Sequence, residues 1–335
     1  MLKHLLAMPV LILATFVSIG AAQTASGPNT DQMRELGADA PTALNGVKQV
    51  TFTEPGPNPR AVTPAVKSDD FVVMGYVQSS VPADRYPWHA LTHVACPFVD
   101  FDASSSITNP STWTGRNSVF QPGGAADLHG VKVLMCVRNG GFSASTLSTV
   151  MQSASLRAAL VTSITDLIAA GGANCAGVNL DFEPQPYGPD TRDGITLFLA
   201  SLKAAIAPKE LSLYVGPTYN ASNDAPGAWA ANLDFMNFSC YPWSGSWSST
   251  ATAIAPDASY DGQVDNFLAA GCPPEKMVLT LPTYGYSMET ATPAYGATKN
   301  ANIGSVGFGT ARFNTTLGSP LRSPQYHDPS NSLWY

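Results

Sequence analysis

The sequence predicts an α/β fold in which parallel strands, each followed by a helix, form a TIM (β/α)8 barrel. From about residue 70 onward, short apolar runs alternate with longer stretches of helical pattern, which is typical of parallel strands covered by helices. The apolar runs are almost continuously hydrophobic, as strands buried on both faces are. A chain of 335 residues, 44% of them hydrophobic, is long enough for one such barrel around one core.

Seven strands can be assigned in chain order. The apolar runs that predict them are residues 71–77, 91–101, 131–137, 177–182, 211–215, 235–240 and 277–282. Helices are predicted at about 155–170, 193–207 and 261–270, and Gly271 with the prolines that follow ends the last of them. No eighth strand is found before Tyr335. The barrel is therefore predicted to be incomplete at its C-terminus, or to use an earlier run that pairs in an unexpected way.

The first 69 residues are expected to lie outside the barrel domain, which is assigned to residues 70–335. A basic start, an apolar stretch at 5–19 and small residues at 20–22 are the order found in a secretory signal. We expect cleavage near Ala22, hence a secreted, extracellular protein with no membrane segment afterwards. A membrane anchor is the alternative, but the apolar stretch is shorter than the roughly 20 residues that a bilayer requires. Residues 23–69, rich in Pro, Thr, Ala and Gly, predict a disordered linker.

The composition excludes several classes of partner and cofactor. The net charge is −7 and Lys and Arg form no run, so nucleic acid is not an expected partner. Only 12% of residues are charged, which favours an uncharged polymer as the substrate. The five cysteines show neither a disulfide framework nor zinc-ligand spacing, so no metal or cofactor is predicted. His93 lies in an apolar run and is interpreted as a buried structural residue. A monomer is expected.

The segment at 177–183 is the strongest candidate for chemistry. Side chains two positions apart in a strand share a face, so Asn179, Asp181 and Glu183 point one way and the apolar residues between them the other. If the apolar set faces the helices, Glu183 lies at the C-terminal mouth, where barrel active sites are found. Two carboxyls this close repel each other, so one retains a proton near neutral pH, as a general acid requires. Structural salt bridges at a strand end are the alternative explanation.

The same segment resembles the fourth-strand signature DGxDxDxE of glycoside hydrolase family 18, the chitinases and their relatives. Asp181 and Glu183 match the last two acidic positions, whereas Ala176 and Asn179 replace the first two. Residues 276–286 are similar to the seventh-strand pattern KLVLGIPFYGR, with a tyrosine in place of the arginine.

Further similarities follow in the order of the family's strands. Residues 234–241 are similar to the sixth-strand segment ending MxYD, with Tyr241 at the tyrosine and Pro242 at the aspartate. Residues 75–76 and 91–98 resemble GYY and LTHINYAF, and 138–141 retain half of SxGG, with Arg138 at the serine. The resemblance covers about 71–287 and implies the barrel fold.

The resemblance implies a substrate-assisted, retaining cleavage of N-acetylglucosamine polymers. The acetamido oxygen of the sugar attacks the anomeric carbon while Glu183 protonates the leaving oxygen and later deprotonates water. Asp181 orients the acetamido group and stabilises its charge. Tyr241 holds the acetamido oxygen by a hydrogen bond. Asn179 is expected to support Asp181 through a hydrogen bond, with an altered pH dependence because an amide cannot accept a proton as the usual aspartate does.

Sugar rings are commonly bound against aromatic faces, and five aromatic residues are candidates for this role. They are Tyr76, Phe98, Trp243, Trp247 and Tyr284, and for each one ordinary packing is the alternative. The expected partner is chitin or another glycan containing N-acetylglucosamine. Two other functions remain open. One is a catalytically impaired, chitin-binding lectin, and the other is an endo-β-N-acetylglucosaminidase acting on N-glycans or cell-wall glycan.

Overall fold

The computed structural model describes residues 12–15, 72–77, 86–183, 187–216, 224–252, 254–255, 257–282, 284–290, 297–307, 327–328 and 333–334. Eight strands pair in parallel in chain order and close into a barrel. They are β1 Ile12–Thr15, β2 Met74–Tyr76, β3 His93–Phe101, β4 Lys132–Asn139, β5 Cys175–Asp181, β6 Glu210–Val215, β7 Phe235–Ser239 and β8 Met277–Leu281. The predicted barrel is confirmed, and β2 to β8 correspond to the seven apolar runs of the sequence.

The eighth position of the barrel is filled from the N-terminal side of the chain. Ala14 of β1 pairs with Gly75 of β2 on one side and with Leu281 of β8 on the other. The four residues of β1 lie within the apolar stretch that was interpreted as a secretory signal. The other residues of 1–22 and the whole linker at 23–69 lie outside the described residues, so signal cleavage stays a prediction.

The described helices follow the strands, as the sequence pattern predicts. They are α1 Ser111–Thr114, α2 Ala125–Leu128, α3 Ala144–Gln152, α4 Ala154–Ala170, α5 Pro189–Ile206, α6 Pro226–Ala230 and α7 Asp257–Ala269. Among them, α4, α5 and α7 correspond to the three predicted helices. No described helix is by itself long and apolar enough to cross a membrane. Helices α3 and α4 meet that criterion only together, and they are bent by 106° where they meet.

The main hydrophobic core lies between the outer faces of the strands and the helices. Val178, Leu180 and Phe182 belong to this core, and the Phe182 ring lies 6.2 Å from that of Phe198 on α5. The outward direction of these side chains fixes the inward direction of the polar residues between them. All five cysteines are buried and none forms a disulfide.

A second, antiparallel sheet begins at the C-terminal end of the barrel. Its strands are β9 Tyr284–Thr290, β10 Lys299–Gly307, β11 His327–Asp328 and β12 Leu333–Trp334, in the order β10-β9-β12-β11. Because β9 starts only three positions after β8 ends, its first residues lie next to the mouth of the barrel. The sequence analysis did not identify this sheet, whose polar, glycine-containing strands lack the continuous apolar runs of the barrel.

Candidate active site

Three charged residues lie side by side across neighbouring strands at the C-terminal mouth. Asp100 on β3 pairs with Arg138 on β4, which in turn pairs with Asp181 on β5. The Nε of Arg138 donates to Oδ1 of Asp100 at 3.0 Å, and an Nη of Arg138 donates to Oδ2 at 3.1 Å. Asn109 secures Asp100 by accepting its backbone N–H at 2.7 Å. The arginine is therefore fixed beside Asp181 by a two-point ion pair.

Asp181 and Glu183 form the acidic pair of the mouth. Burial raises the pKa of Asp181 and the negative charge of Glu183 raises it further, whereas Arg138 opposes the rise. Burial also raises the pKa of Glu183, again with Arg138 opposing. Because two neighbouring, partly buried carboxyls titrate together, the pair retains a proton at a pH where exposed carboxyls are ionised. A carboxyl that keeps its proton in this pH range can act as a general acid.

A neutral polar layer lies beneath this pair inside the barrel. The amide nitrogen of Asn179 donates to Ser212 Oγ at 2.8 Å and to Asn237 Oδ1 at 3.1 Å. Asn237 in turn donates to the Tyr76 hydroxyl. Both N–H groups of Asn179 are thus directed to neutral partners. This differs from the expected hydrogen bond between Asn179 and Asp181, and it leaves Asn179 as part of the neutral floor of the site.

Two tyrosines lie on β6 and just after β7, on the side of β5 opposite to Arg138. Tyr241 lies just after β7 and is buried. Tyr214 on β6 shares a 2.8 Å hydrogen bond with Ser239. Burial raises the pKa of Tyr214, and Glu183 and Tyr241 raise it further, so Tyr214 lies within electrostatic reach of both groups. Tyr214 is not among the site residues predicted from the sequence, although its spacing of two from Ser212 along β6 predicts that both side chains lie on the same face.

The aromatic candidates fall into two groups. Tyr76 is buried and its ring stacks on Phe98 at 6.4 Å, while the Arg138 guanidinium lies 4.6 Å from the Phe98 ring. Both rings are therefore already in contact with other side chains of the protein. Trp243 is 45% exposed and is available to a ligand.

A second aromatic series runs outward from the acidic pair. The ring of Tyr241 lies 6.1 Å from that of Tyr284, and Tyr286 and then Trp247 follow at 5.9 Å each. Trp247, at the end of the series, is 61% exposed. Among the described residues, no group of three or more His, Cys, Asp or Glu is arranged to hold a metal ion. The mouth therefore combines an acid pair, two tyrosines and exposed indoles.

Comparison with known proteins assigns this arrangement to a family. The model of "Glycosyl hydrolases family 18" matches residues 72–335. The chain is 25% identical over 240 residues to "Probable chitinase 2" of Drosophila melanogaster, covering 65% of this chain and 49% of the relative. It is 27% identical over 249 residues to a "chitinase-like effector" of Moniliophthora roreri, covering 68% and 58%. The chain thus spans about half the length of these curated relatives.

Solved structures with the same fold include two chitinases and one chitinase-like agglutinin. A GH18 chitinase from Cycas revoluta in complex with (GlcNAc)3 has a TM-score of 0.65 at 23% identity, covering 78% of this chain and 86% of the other. The chitinase-like agglutinin of Robinia pseudoacacia gives 0.65 at 22%, covering 78% and 85%. The Ostrinia furnacalis Group IV chitinase in complex with allosamidin gives 0.65 at 17%, covering 79% and 82%. With the family model matched from β2 to the end of the second sheet, this chain belongs to glycoside hydrolase family 18.

Proposed function

We propose that this protein is a secreted glycosidase that hydrolyses β-1,4-linked N-acetylglucosamine polymers such as chitin, with retention of configuration. The observation that carries the proposal is the pair formed by Asp181 and Glu183. The two carboxyls lie at the mouth, their pKa values are raised by burial, Tyr214 interacts with both, and Tyr241 interacts with Tyr214. A pair in which one carboxyl keeps its proton matches the general acid that glycoside cleavage needs.

In the proposed reaction, Glu183 gives its proton to the glycosidic oxygen as the bond from that oxygen to the anomeric carbon breaks. The carbonyl oxygen of the sugar's acetamido group bonds to the anomeric carbon and forms an oxazolinium ion. The Glu183 carboxylate then takes a proton from water, whose oxygen adds to the anomeric carbon and reopens the ring. Glu183 is thereby returned to its acid form, and two inversions give net retention.

Asp181 and Tyr241 have separate tasks in this scheme. Asp181 accepts a hydrogen bond from the acetamido N–H and stabilises the positive charge that develops on the ring, which is an interaction strongest in the transition state. The Tyr241 hydroxyl donates to the acetamido oxygen and keeps it in line with the anomeric carbon. This division requires an acetamido group on the sugar, so polymers without one are not substrates.

The substrate class is supported by the relatives and by the exposed aromatic side chains. Two relatives carry chitinase in their names, and one structural neighbour holds (GlcNAc)3. Trp243 and Trp247 offer apolar faces to sugar rings at the rim of the mouth. The low charge of the protein suits an uncharged polymer.

The proposal is tested by the release of soluble sugar from colloidal chitin. We expect the wild-type protein to release N-acetylglucosamine oligomers and Glu183→Gln to do so at least about a hundredfold more slowly, because removing a general acid usually costs a factor of about 10² to 10⁴. Glu275→Gln, at an exposed glutamate after α7, is the matched control and should retain the wild-type rate. Equal rates for wild type and Glu183→Gln would remove Glu183 from its role.

A chitin-binding lectin is the second candidate, because an agglutinin shares the fold and Asn179 stands where the family signature has an aspartate. A lectin would bind chitin in a pull-down assay and release no sugar from it. An endo-β-N-acetylglucosaminidase would instead release glycan from glycoproteins or cell walls faster than it cleaves chitin oligomers. Product profiles on the three substrates therefore separate the candidates.

Export and oligomeric state are part of the same proposal. The signal-like order of residues 1–22 supports secretion. N-terminal sequencing of protein collected from the medium should start near residue 23, and size-exclusion chromatography should show a monomer. Retention of residues 1–22 in the exported protein would contradict cleavage.

A further inference from the structure

Glu183 lies beyond the last residue pair that joins β4 to β5, which is Arg138 with Asp181. The strand ladder therefore does not hold the backbone of Glu183, and the side chain of Asn139 holds it instead. The Oδ1 of Asn139 accepts the backbone N–H of Glu183 at 3.0 Å, and its Nδ2 donates to the carbonyl oxygen of Glu183. One side-chain amide thus bonds both backbone polar groups of the proposed acid.

Asn139 is itself firmly placed. It is the last residue of β4 and is 0% exposed. Its Nδ2 also donates to the carbonyl oxygen of Ser143 at 3.0 Å, and the Ser143 hydroxyl accepts the N–H of Thr146 to cap α3. The amide therefore joins the end of β4, the start of α3 and the backbone of Glu183.

The chemistry of this contact selects a carboxamide. Only a group with a donor and an acceptor side by side can match a backbone N–H and C=O at once. An ionised aspartate at 139 would have two acceptors and would face the carbonyl oxygen of Glu183 without a proton to share. A leucine of similar size would leave both backbone groups without a hydrogen-bond partner from this side chain, which is unfavourable for groups shielded from water.

We propose that Asn139 is a positioning residue that sets the reach of the Glu183 carboxyl toward the glycosidic oxygen. This inference rests on the proposed function, in which Glu183 is the acid. A displacement of a reacting group by about 1 Å can lower a rate by about a hundredfold. Asn139 is fully buried and is bonded to the backbone, so its removal is expected to change turnover and to leave binding in place.

The test uses Asn139→Asp, which keeps the size of the side chain and removes the donor. With a soluble N-acetylglucosamine tetramer at neutral pH, kcat is expected to fall about 10- to 100-fold while KM changes less than about threefold. As the pH is lowered, the aspartate regains a proton and can donate again, so the deficit relative to wild type should shrink. Asn174→Asp is the matched control, because Asn174 also joins loops through its amide, to Phe120 and Arg116, away from the mouth.

A double-mutant comparison separates positioning from general damage. If Asn139 acts through Glu183, adding Asn139→Asp to Glu183→Gln lowers the residual turnover no further. An equal proportional loss in both backgrounds, a matching loss of tetramer binding, or wild-type kcat in Asn139→Asp would overturn the inference alone. Full activity in Glu183→Gln would overturn the proposed function and this inference with it.

Discussion

The two ends of the barrel each hold a partly buried carboxyl beside basic side chains, and the pKa of the carboxyl is lowered at one end and raised at the other. At the N-terminal end, Glu210 is bonded by the ring of His93 at 2.8 Å and by the Lys132 ammonium. Burial by itself would raise its pKa, but these two partners lower it to about 2. At the C-terminal mouth, burial and the charge of Glu183 raise the pKa of Asp181 in spite of Arg138.

The difference in pKa follows from which carboxyl the neighbouring basic side chains bond directly. Both partners of Glu210 donate to its carboxylate directly, whereas Arg138 directs its Nε and an Nη to Asp100. Arg138 therefore acts on Asp181 mainly as a charge at a distance. One end of the barrel holds an ionised carboxylate that stabilises the fold, and the other holds a carboxyl pair with raised pKa values, to which the proposed function gives the chemistry.

The largest effect on turnover within this comparison is expected for Asp181→Asn. The amide cannot stabilise the positive charge that develops on the acetamido group, so kcat should fall about a hundredfold or more. Thermal stability should be unchanged or higher, because a carboxyl with a raised pKa is destabilised by burial when it ionises. Steady-state kinetics on an N-acetylglucosamine tetramer measure the change, with the exposed Asp190→Asn as control. If Asp181→Asn kept the wild-type kcat, the expected catalytic difference between the two ends of the barrel would be wrong.

A smaller effect, and one that depends on pH, is expected for Arg138→Gln. Arg138 lowers the pKa of both Asp181 and Glu183, so its removal should raise both and move the whole pH profile of kcat to higher pH. A shift of about one pH unit corresponds to about a tenfold lower rate on the acidic side. Arg157→Gln, at a partly buried arginine of α4, is the control. A pH profile that stays in place would show that Arg138 serves only through its contacts with Asp100 and Phe98.

The smallest effect on turnover is expected for Glu210→Gln, which should leave kcat unchanged and lower stability by about 1–3 kcal/mol at neutral pH. Because the folded pKa of Glu210 lies below its value of 4.5 in the unfolded chain, its contribution is complete above that value and is lost as the pH falls toward 2. Urea unfolding of wild type and variant should therefore differ at pH 7 and converge near pH 2.

Lys132→Gln provides the comparison for that prediction. The Lys132 side chain is 52% exposed, so water screens its charge and its removal should cost about 1 kcal/mol or less. A loss of turnover in Glu210→Gln as large as that in Asp181→Asn would show that the two ends are not independent.

The barrel strands and the acidic pair could be predicted because each of them depends on the residues of one continuous segment. Continuous apolar runs identified β2 to β8, and alternation within β5 placed Asp181 and Glu183 on the inner face. The contacts of Arg138 and Asn139 could not be predicted, because they depend on the register between β4 and its neighbours. Sequence shows Arg138 only as a departure from a motif and gives no indication that Asn139 reaches the backbone of Glu183.

The aromatic residues show the same limit. A ring in a strand near the mouth predicts a surface for sugar, yet Phe98 is engaged by Tyr76 and Arg138, while Trp247 is exposed. Which rings remain accessible is decided by packing between distant segments. The same holds for β1, whose apolar residues satisfy the requirements of a signal and of a barrel strand equally well.

If the protein is exported as proposed, the strand at residues 12–15 links its folding to its export. While those residues are paired between β2 and β8, they are not free to be recognised as a leader. Once a leader is removed, the facing edges of β2 and β8 lose the neighbour that bonds their backbone groups. Unbonded strand edges pair readily with another chain, so a cleaved protein that stays monomeric needs another segment to cover these two edges.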